Sequence, residues 1–191
     1  MYLDKNILKN TRVLCNDKRR LHLQAVGFDY NEEKSLLSIV ATNAQVMIVT
    51  ELDIEREEDR AFCKKYFLGN QGYFITEAMI KKEKSPFCVL EEDEGQLLID
   101  GIPAKKLDGA YVNWRVILPK NELKLAAAYC GFDKDLIKLA DKAWGHKKGT
   151  IMEKRPFVNA DTTKEHEDIH YWIKKYTTGK KILLLMPMRI N

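Results

Sequence analysis

The stretch RRLHLQAVGFDYNEEKSLLSIVATNAQVMIVTELDI, residues 19–54, decides the fold of this chain. Its LHLQAVGFDY part alternates apolar with polar residues, and the turn-like NEEK is followed by two β-branched, apolar segments of strand length, SLLSIVAT and QVMIVTELDI. In front of it, DKNILKNTRVLC spaces its apolar residues as a helix does, behind Asp4, a residue suited to an N-cap. This region therefore predicts one helix followed by a meander of three strands.

The same order recurs further along the chain. Thr76 is placed to cap a short helix that holds the apolar residues AMI, and FCVLEED, GQLLIDG and IPAKKLDG then have the composition of three short strands. Asp133 begins a third helix in DKDLIKLADKAW, and a short helix over 165–176 and the strand ILLLMPMRIN follow it. The charged segment EREEDRAFCKK predicts a solvated loop or a short helix. The sequence thus predicts an α+β fold made of three units, each with one helix and several strands.

Composition limits the class of protein. With 191 residues, 45% of them apolar and 31% charged, the chain resembles an ordinary globular protein. Its apolar runs are far shorter than the roughly 20 residues of a membrane span, and MYLDKNILKN lacks a secretion-signal pattern. We therefore expect a cytoplasmic protein with no membrane partner. The four cysteines form no C-x-x-C pair, which favours reduced thiols, and a net charge of +4 does not by itself indicate nucleic-acid binding.

One pattern points to an enzyme. HEDIH, residues 166–170, has the H-E-x-x-H spacing in which two histidines one helical turn apart bind zinc and the glutamate activates water. A catalytic zinc needs a third protein ligand, and the sequence after His170 contains no His, Asp, Glu or Cys, so that ligand would come from Glu153 or His146. A solvated amphipathic helix needs no such ligand. We predict no catalytic residue, no metal and no cofactor, with a zinc metallohydrolase as the alternative.

Four segments resemble, in the same order, segments of the bacterial DNA polymerase III beta subunit, the sliding clamp. Residues 19–54 resemble the family's middle domain with its Val-Ala-Thr-Asp-Gly-His-Arg-Leu segment, and LDGAYVNWRVILPK is similar to the segment that closes that domain. CGFDKDLIKLADKAW is similar to a helix of the last clamp domain, and LLLMPMRIN to its Met-Pro-Met-Arg-Leu terminus. The resemblance implies a DNA-clamp fold in which 1–120 form a middle-type domain and 121–191 form half of the last domain.

The resemblance also implies a function without catalysis, that of a sliding-clamp-like accessory protein of DNA replication. A ring of twelve helix-and-strand halves requires four copies of a chain that holds three, so that a homo-oligomer and a monomer are both open. The alternative is an interaction module derived from a clamp that acts without encircling DNA.

In the clamp family, the terminal strand and the Thr-Asp-Gly-His-Arg-Leu loop form two sides of a hydrophobic pocket for short peptides of polymerases and repair proteins. The resemblance implies that the matching pocket here consists of Leu23, Thr42, Asn43, Ala44, Gln45, Val46, Met47, Pro119, Met186, Pro187, Met188, Arg189 and Ile190. Methionines adapt to varied apolar side chains, and proline keeps an edge from pairing as a regular strand. Because Asn-Ala-Gln-Val replaces the family's Asp-Gly-His-Arg, we expect a different peptide preference or weaker binding. Alternatively, these are core and edge-strand residues retained from an ancestor.

Double-stranded DNA is a second partner that the resemblance implies. Lys18, Arg19, Arg20 and His22 match positions at which the family's middle domain touches the duplex, mainly through phosphates. The alternative for this cluster is a solvated basic turn.

Overall fold

The computed structural model describes residues 1–81, 84–118, 123–125, 133–145, 157–159, 170–176 and 179–185. Within these ranges the helices are α1 (Lys5–Arg12), α2 (Glu57–Phe67), α3 (Glu77–Lys81) and α4 (Lys134–Trp144). The strands are β1 (Tyr2–Asp4), β2 (Val26–Asn31), β3 (Leu36–Thr42), β4 (Val46–Asp53), β5 (Gln71–Phe74), β6 (Phe87–Asp93), β7 (Gln96–Ile99), β8 (Ile102–Pro103), β9 (Lys105–Lys106), β10 (Leu123–Leu125), β11 (Phe157–Asn159), β12 (His170–Tyr176) and β13 (Gly179–Leu185). Short 3₁₀ turns occupy Leu21–Leu23 and Trp114–Ile117.

The elements repeat as one strand, one helix and three strands. Unit 1 is β1-α1-β2-β3-β4, unit 2 is β5-α3-β6-β7-β8, and unit 3 is β10-α4-β11-β12-β13. The remaining elements are α2, between units 1 and 2, and β9, which follows unit 2. The predicted α+β class and its repeated helix-plus-strands units are therefore confirmed, and the charged segment predicted as a loop or short helix forms α2.

Side-chain caps explain where the helices of the three units begin. Asp4 Oδ1 accepts a hydrogen bond from the amide of Asn6 at 2.8 Å at the start of α1. Asp133 Oδ1 accepts from two first-turn amides of α4 at 2.7 and 3.0 Å. Thr76 Oγ1 accepts from the amide of Met79 at 3.4 Å in α3. The three start residues predicted from the sequence thus stand at the starts of helices.

Units 1 and 2 exchange their first strands. β1 of unit 1 pairs antiparallel with β6 of unit 2, and β5 of unit 2 pairs with β2 of unit 1. The exchange gives a four-stranded sheet, β1-β6-β7-β8, and a single core to which both units contribute. An ion pair of 3.0 Å between Lys5 Nζ of α1 and the fully buried Asp100 carboxylate, which follows β7, also crosses between the units. We call this the exchanged joint.

Unit 3 joins unit 1 in a different way. β13 pairs antiparallel with β4 over seven residue pairs, from Gly179 opposite Leu52 to Leu185 opposite Val46. The result is one nine-stranded sheet in the order β10-β11-β12-β13-β4-β3-β2-β5-β9. On one face, the helix side, α4 lies beside α1 and packs on β4 and β13. The other face, the outer face, is covered by residues 107–118, the covering segment. We call the β4–β13 contact the edge joint.

Three sequence predictions of local structure were wrong or incomplete. The helix predicted over 165–176 is wrong for His170–Tyr176, which form β12 and pair along their whole length with β13. The aromatic and β-branched YWI favours a strand, and a neighbouring strand was available to pair with it. The strand predicted in LHLQAVGFDY is β2 and begins only at Val26, because Leu21–Leu23 form a 3₁₀ turn. IPAKKLDG splits into β8 and β9, which join different sheets.

Candidate functional site

A cavity of about 220 Å³ opens where the edge joint meets the covering segment. Its lining comes from the turn before β2, the β3–β4 loop, the covering segment and β13: Arg20, His22, Leu23, Thr42, Ala44, Gln45, Val46, Met47, Val112, Ile117 and Leu184. The structure thus brings six residues of the predicted pocket, Leu23, Thr42, Ala44, Gln45, Val46 and Met47, around one cavity.

The cavity has an apolar floor and a more polar rim. Leu23, Met47 and Leu184 are each 3% exposed and form the floor. The side chains of His22 and Gln45 are exposed at the rim. A small apolar cleft edged by a few polar groups can bury one apolar side chain of a peptide ligand, while the backbone of that peptide stays at the protein surface.

The β3–β4 loop is closed by its own hydrogen bonds. Thr42 Oγ1 donates to the carbonyl oxygen of Val46 at 2.9 Å and accepts from the amide of Ala44 at 3.0 Å. Asn43 Oδ1 accepts from the amides of Gln45 and Val46 at 3.1 and 2.7 Å. Asn43, a predicted pocket residue, is therefore outside the cavity lining and shapes the loop instead. The loop side of the cavity is preformed.

Ala44 occupies the position where the resemblance placed the family's glycine. Its φ is +76°, in the left-handed region that favours glycine. The loop thus keeps a glycine-type backbone while carrying a Cβ. Two positions on, Val46 matches the family's arginine but is 1% exposed and packs with Ile48 and Ala143. The loop has lost a charged side chain and gained a core residue.

A buried carboxylate fixes the covering segment to the sheet. Trp114 Nε1 donates to Asp29 Oδ2 at 3.1 Å, and the Arg115 guanidinium forms an ion pair with the same carboxylate. Asn70 Nδ2 donates to the carbonyl oxygen of Val112 at 3.0 Å. Burial raises the pKa of the Asp29 carboxyl, and the positive charge of Arg115 opposes that rise. Asp29 is thus a positioning residue for one wall of the cavity.

The covering segment also lies very close to the sheet. A Cβ at Gly27 of β2 would lie 2.3 Å from the ring of Tyr111, so only glycine fits beneath that ring. The Tyr111 hydroxyl donates to the carbonyl oxygen of Val40 at 3.3 Å. This packing fixes the backbone beside Val112.

The terminal-strand side of the predicted pocket is described as far as Leu185. In β13, Leu184 lies opposite Met47 and Leu185 lies opposite Val46, so the strand ends beside the β3–β4 loop. The remaining predicted pocket residues, Pro119, Met186, Pro187, Met188, Arg189 and Ile190, lie outside the described residues.

The four predicted DNA-contacting residues divide into two pairs. Arg20 and His22 line the cavity, while Lys18 and Arg19 are exposed beside it. Arg20 forms an ion pair of 2.6 Å with Asp17, which also accepts from the amides of Arg19 and Arg20 at 2.8 and 3.2 Å. These hydrogen bonds hold the pKa of the Asp17 carboxyl below its usual value. Part of the positive charge of the cluster is therefore offset by Asp17.

Sequence reasoning missed two sets of residues. Val112, Ile117 and Leu184 line the cavity, and the signal for them was their position within or next to segments already recognised as clamp-like. On the helix side, the structure exposes lysines that the sequence analysis did not consider, Lys9 of α1 and Lys134, Lys138 and Lys142 of α4. The four-residue spacing in α4 places its three lysines along one side of the helix.

The metallohydrolase alternative gains no support from the described residues. His170 lies in β12, whereas 166–169 lie outside the described ranges. Within the described ranges, no group of three or more His, Cys, Asp or Glu side chains is arranged to hold a metal ion.

Cys15, Cys63 and Cys88 are free thiols. Burial raises the pKa of the Cys63 thiol to about 12, so that it is not a reactive thiolate at neutral pH. None of the helices in the described part of the chain is long and apolar enough to cross a membrane.

No family model matches this chain, and no curated protein does either. Solved bacterial clamps match it. The Helicobacter pylori beta clamp bound to a DNA ligase peptide matches with a TM-score of 0.52 and 12% identity, over 97% of this chain and 63% of that one. Caulobacter crescentus pol III beta matches with a TM-score of 0.50 and 13% identity, over 100% and 65%. A putative DNA polymerase III beta subunit from Eubacterium rectale matches with a TM-score of 0.50 and 9% identity, over 100% and 65%.

These matches show the fold. The chain has the fold of bacterial DNA polymerase III beta subunits, which confirms the DNA-clamp type predicted from the sequence. It spans slightly less than two thirds of the length of each of these three structures.

Proposed function

We propose that this chain, which has the fold of a sliding clamp, is a clamp-like accessory protein of DNA replication that captures a short peptide of a polymerase, ligase or repair protein in the cavity at the edge joint. The protein acts by binding rather than by catalysis. The role of the cavity is to bury apolar side chains of the peptide, and the exposed polar residues at its rim contact the peptide backbone.

One observation carries this proposal. The cavity lies where two units meet, and its apolar floor combines Leu23 and Met47 of unit 1 with Leu184 of unit 3. A floor shared by two units depends on their relative position, so that binding can report whether the edge joint is intact. The Helicobacter clamp that matches this chain was solved with a DNA ligase peptide, which supports a peptide of that class as the ligand.

The loop substitutions favour a ligand that differs from that of a typical clamp. With Val46 buried and an alanine at 44, the β3–β4 loop offers backbone groups and the amide of Gln45, but no positive charge. Among the described residues that line the cavity, Arg20 is the one that carries a permanent positive charge, and Asp17 forms an ion pair with it. We therefore expect recognition dominated by apolar side chains, with weak dependence on salt.

Fluorescence anisotropy with the labelled DNA ligase peptide tests the proposal. Val112→Asp places a charge in the cavity wall and is expected to weaken binding about ten-fold or more, because an apolar contact is lost and a charge is desolvated. The matched control is Val116→Asp on the same segment, which is 53% exposed, does not line the cavity, and should leave the affinity unchanged. Equal loss in both variants, or no binding by the unmodified protein, would reject peptide capture at this cavity by this class of peptide.

We further propose that any DNA contact is electrostatic and insensitive to sequence. Two surfaces compete for this role: the exposed pair Lys18 and Arg19 near the cavity, and the lysines of α1 and α4 on the helix side. The helix side favours a duplex, since its lysines extend along two adjacent helices, although Asp135 forms an ion pair with Lys138 at 2.7 Å, as Asp17 does with Arg20 at 2.6 Å.

Salt titrations of duplex binding distinguish the two surfaces. Replacing two lysines that contact phosphates should reduce the log–log salt slope by about two. Lys138→Ala with Lys142→Ala is therefore compared with Lys18→Ala with Arg19→Ala, using linear and circular DNA. Retention on circular DNA alone would support encirclement. Equal release from both forms would favour the interaction module that acts without encircling DNA.

A further inference from the structure

Unit 3 uses its first strand differently from units 1 and 2. In the exchanged joint, each first strand leaves its own unit and pairs with the strand that follows the helix of the sister unit, β1 with β6 and β5 with β2. In unit 3, β10 pairs with β11 of its own unit, with Lys124 opposite Val158. In all three units, the first strand pairs with a strand that directly follows a helix. In units 1 and 2 that strand belongs to the other unit, whereas in unit 3 it belongs to unit 3 itself.

The helices of the three units show a matching difference in burial. Counted from the cap residues Asp4, Thr76 and Asp133, the fourth helical residue is Leu8 in α1, Ile80 in α3 and Ile137 in α4. Leu8 is fully buried and Ile80 is 9% exposed, and both belong to the core shared by units 1 and 2.

Ile137 has no such environment. It is half-buried, and it belongs to none of the three hydrophobic clusters found among the described residues. Leu136 and Leu139, its neighbours on α4, pack against the edge joint instead. The helix position that is buried in the core shared by units 1 and 2 is therefore only half-buried in unit 3.

We propose that a second copy of this chain covers Ile137, with two copies of unit 3 pairing about a two-fold axis and each β10 adding to β11 of its partner. The resulting pair of units has the arrangement that units 1 and 2 already form within one chain. Among the described strands, β11 is the one that pairs with β10, and β10 stands at the edge of the nine-stranded sheet.

The repeat itself argues for a second copy rather than an unrelated partner. Units 1 and 2 are two versions of one supersecondary pattern, and each supplies the other with a strand and an apolar helix face. Two identical units 3 satisfy both requirements at once, and a contact of one surface with itself closes as a dimer. Exchange of an identical strand between protomers is a common route to a dimer, because the strand makes the same pairing in its partner.

The proposed dimer leaves the cavities free. The cavity lies at the edge joint on the outer face of the nine-stranded sheet, whereas Ile137 lies on a helix on the opposite face. Dimerisation is therefore independent of peptide capture, and a test of mass does not depend on the proposed function.

Multi-angle light scattering over about two decades of protein concentration tests the dimer. The expected mass at high concentration is twice the chain mass of 22.2 kDa. Ile137→Lys should weaken dimerisation at least about a hundred-fold, since each protomer loses an apolar contact and gains a charge in the interface. The matched control Asp135→Lys places the same side chain on the opposite side of α4, at an exposed position, and should leave the dimer intact.

A disulfide across the β10–β11 register tests the strand exchange. Lys124→Cys and Val158→Cys are combined with Cys130→Ser, because directly opposed residues of antiparallel strands lie within disulfide reach. On oxidation, we expect a covalent dimer on a non-reducing gel. A monomeric mass at every concentration, a dimer that Ile137→Lys leaves intact, or a cross-link confined to one chain would each overturn the proposal.

Discussion

The exchanged joint and the edge joint connect the same repeated unit in two ways. At the exchanged joint, β1 and β5 cross between units and enclose one core, in which Phe28 and Phe67 stack at 4.7 Å and Tyr73 lies edge-on to both. At the edge joint, two strand edges pair along seven residue positions, and α4 rests beside α1. The first joint exchanges strands around one shared core, whereas the second is a continuous backbone ladder with a separate apolar cluster on each face.

The two joints also differ in the clefts beside them. Two sheet edges that meet side by side leave the small cavity with the apolar floor at the end of their seam, whereas wider clefts of about 370 and 630 Å³ lie beside the exchanged joint. Local opening is easier at a joint without chain exchange, because neither unit holds a strand of the other. We therefore expect the exchanged joint to determine global stability and the edge joint to determine binding.

The largest effect is expected in the exchanged joint. Phe67 is fully buried and contacts the rings of both Phe28 and Tyr73, so Phe67→Ala should cost about 3–5 kcal/mol of unfolding free energy. Urea titration followed by circular dichroism measures this. The control Phe87→Ala, at a phenylalanine that is 48% exposed, should cost less than about 1 kcal/mol. Similar losses in both variants would show that the core does not dominate stability.

A smaller effect, confined to the edge joint, is expected from Gly179→Ala. A Cβ at Gly179 would lie 2.0 Å from the carbonyl oxygen of Glu51, and because that atom is backbone, the first pair of the β4–β13 ladder must separate. The expected cost is about 1–3 kcal/mol. Hydrogen exchange should accelerate in β13 and β4 and stay unchanged in β6.

The control for this variant is Gly95→Ala in the β6–β7 turn. Gly95 also has a positive φ, +80°, but a Cβ there would meet nothing within 4 Å. Gly95→Ala therefore introduces positive-φ strain without a clash. If both variants accelerated exchange in β13 equally, a global loss of stability rather than separation of the joint would be the cause.

The next prediction concerns the loop at the end of the edge joint. Ala44→Gly should stabilise the protein by up to about 1 kcal/mol. The left-handed φ of +76° costs alanine about 1–2 kcal/mol, and the extra chain entropy that glycine loses on folding offsets only part of that gain. Thermal unfolding measures the gain. The same substitution at the exposed helical Ala78 should destabilise by about 0.5–1 kcal/mol, so opposite signs are expected. Equal signs would contradict the strained loop.

Local features of both joints were predictable from the sequence. The caps Asp4, Thr76 and Asp133, and the strands of SLLSIVAT and QVMIVTELDI, follow from short-range pattern and side-chain chemistry. The β3–β4 loop was identified as part of a pocket only through resemblance, and the structure brings most of its residues to one cavity.

The connections between units were not predictable in this way. The exchange of β1 and β5 pairs residues far apart in sequence, and nothing within three- or four-residue strands specifies the partner. β12 was predicted as a helix for the same reason, because its partner β13 determines its conformation. The role of Asp29 could not be predicted either, because the local sequence around an aspartate in a strand does not indicate that Trp114 and Arg115 contact it.

The smallest effect is a pH dependence at the wall of the cavity. Burial raises the pKa of Asp29 above its ordinary value of 3.8. At pH values between 3.8 and the raised pKa, the folded protein therefore binds more protons than the unfolded chain. The contribution of Asp29 to stability therefore falls as pH rises through that window. In Asp29→Asn this contribution is absent, while the side-chain oxygen still accepts from Trp114 Nε1. The unfolding free energy of the wild type minus that of the variant should thus decrease with rising pH, as urea titrations at a series of pH values would measure.

The same change at the exposed Asp53 serves as the control and should not reproduce this slope. A difference that rises with pH would mean that the ion pair with Arg115 outweighs burial, and that charge rather than packing holds the covering segment at the edge joint.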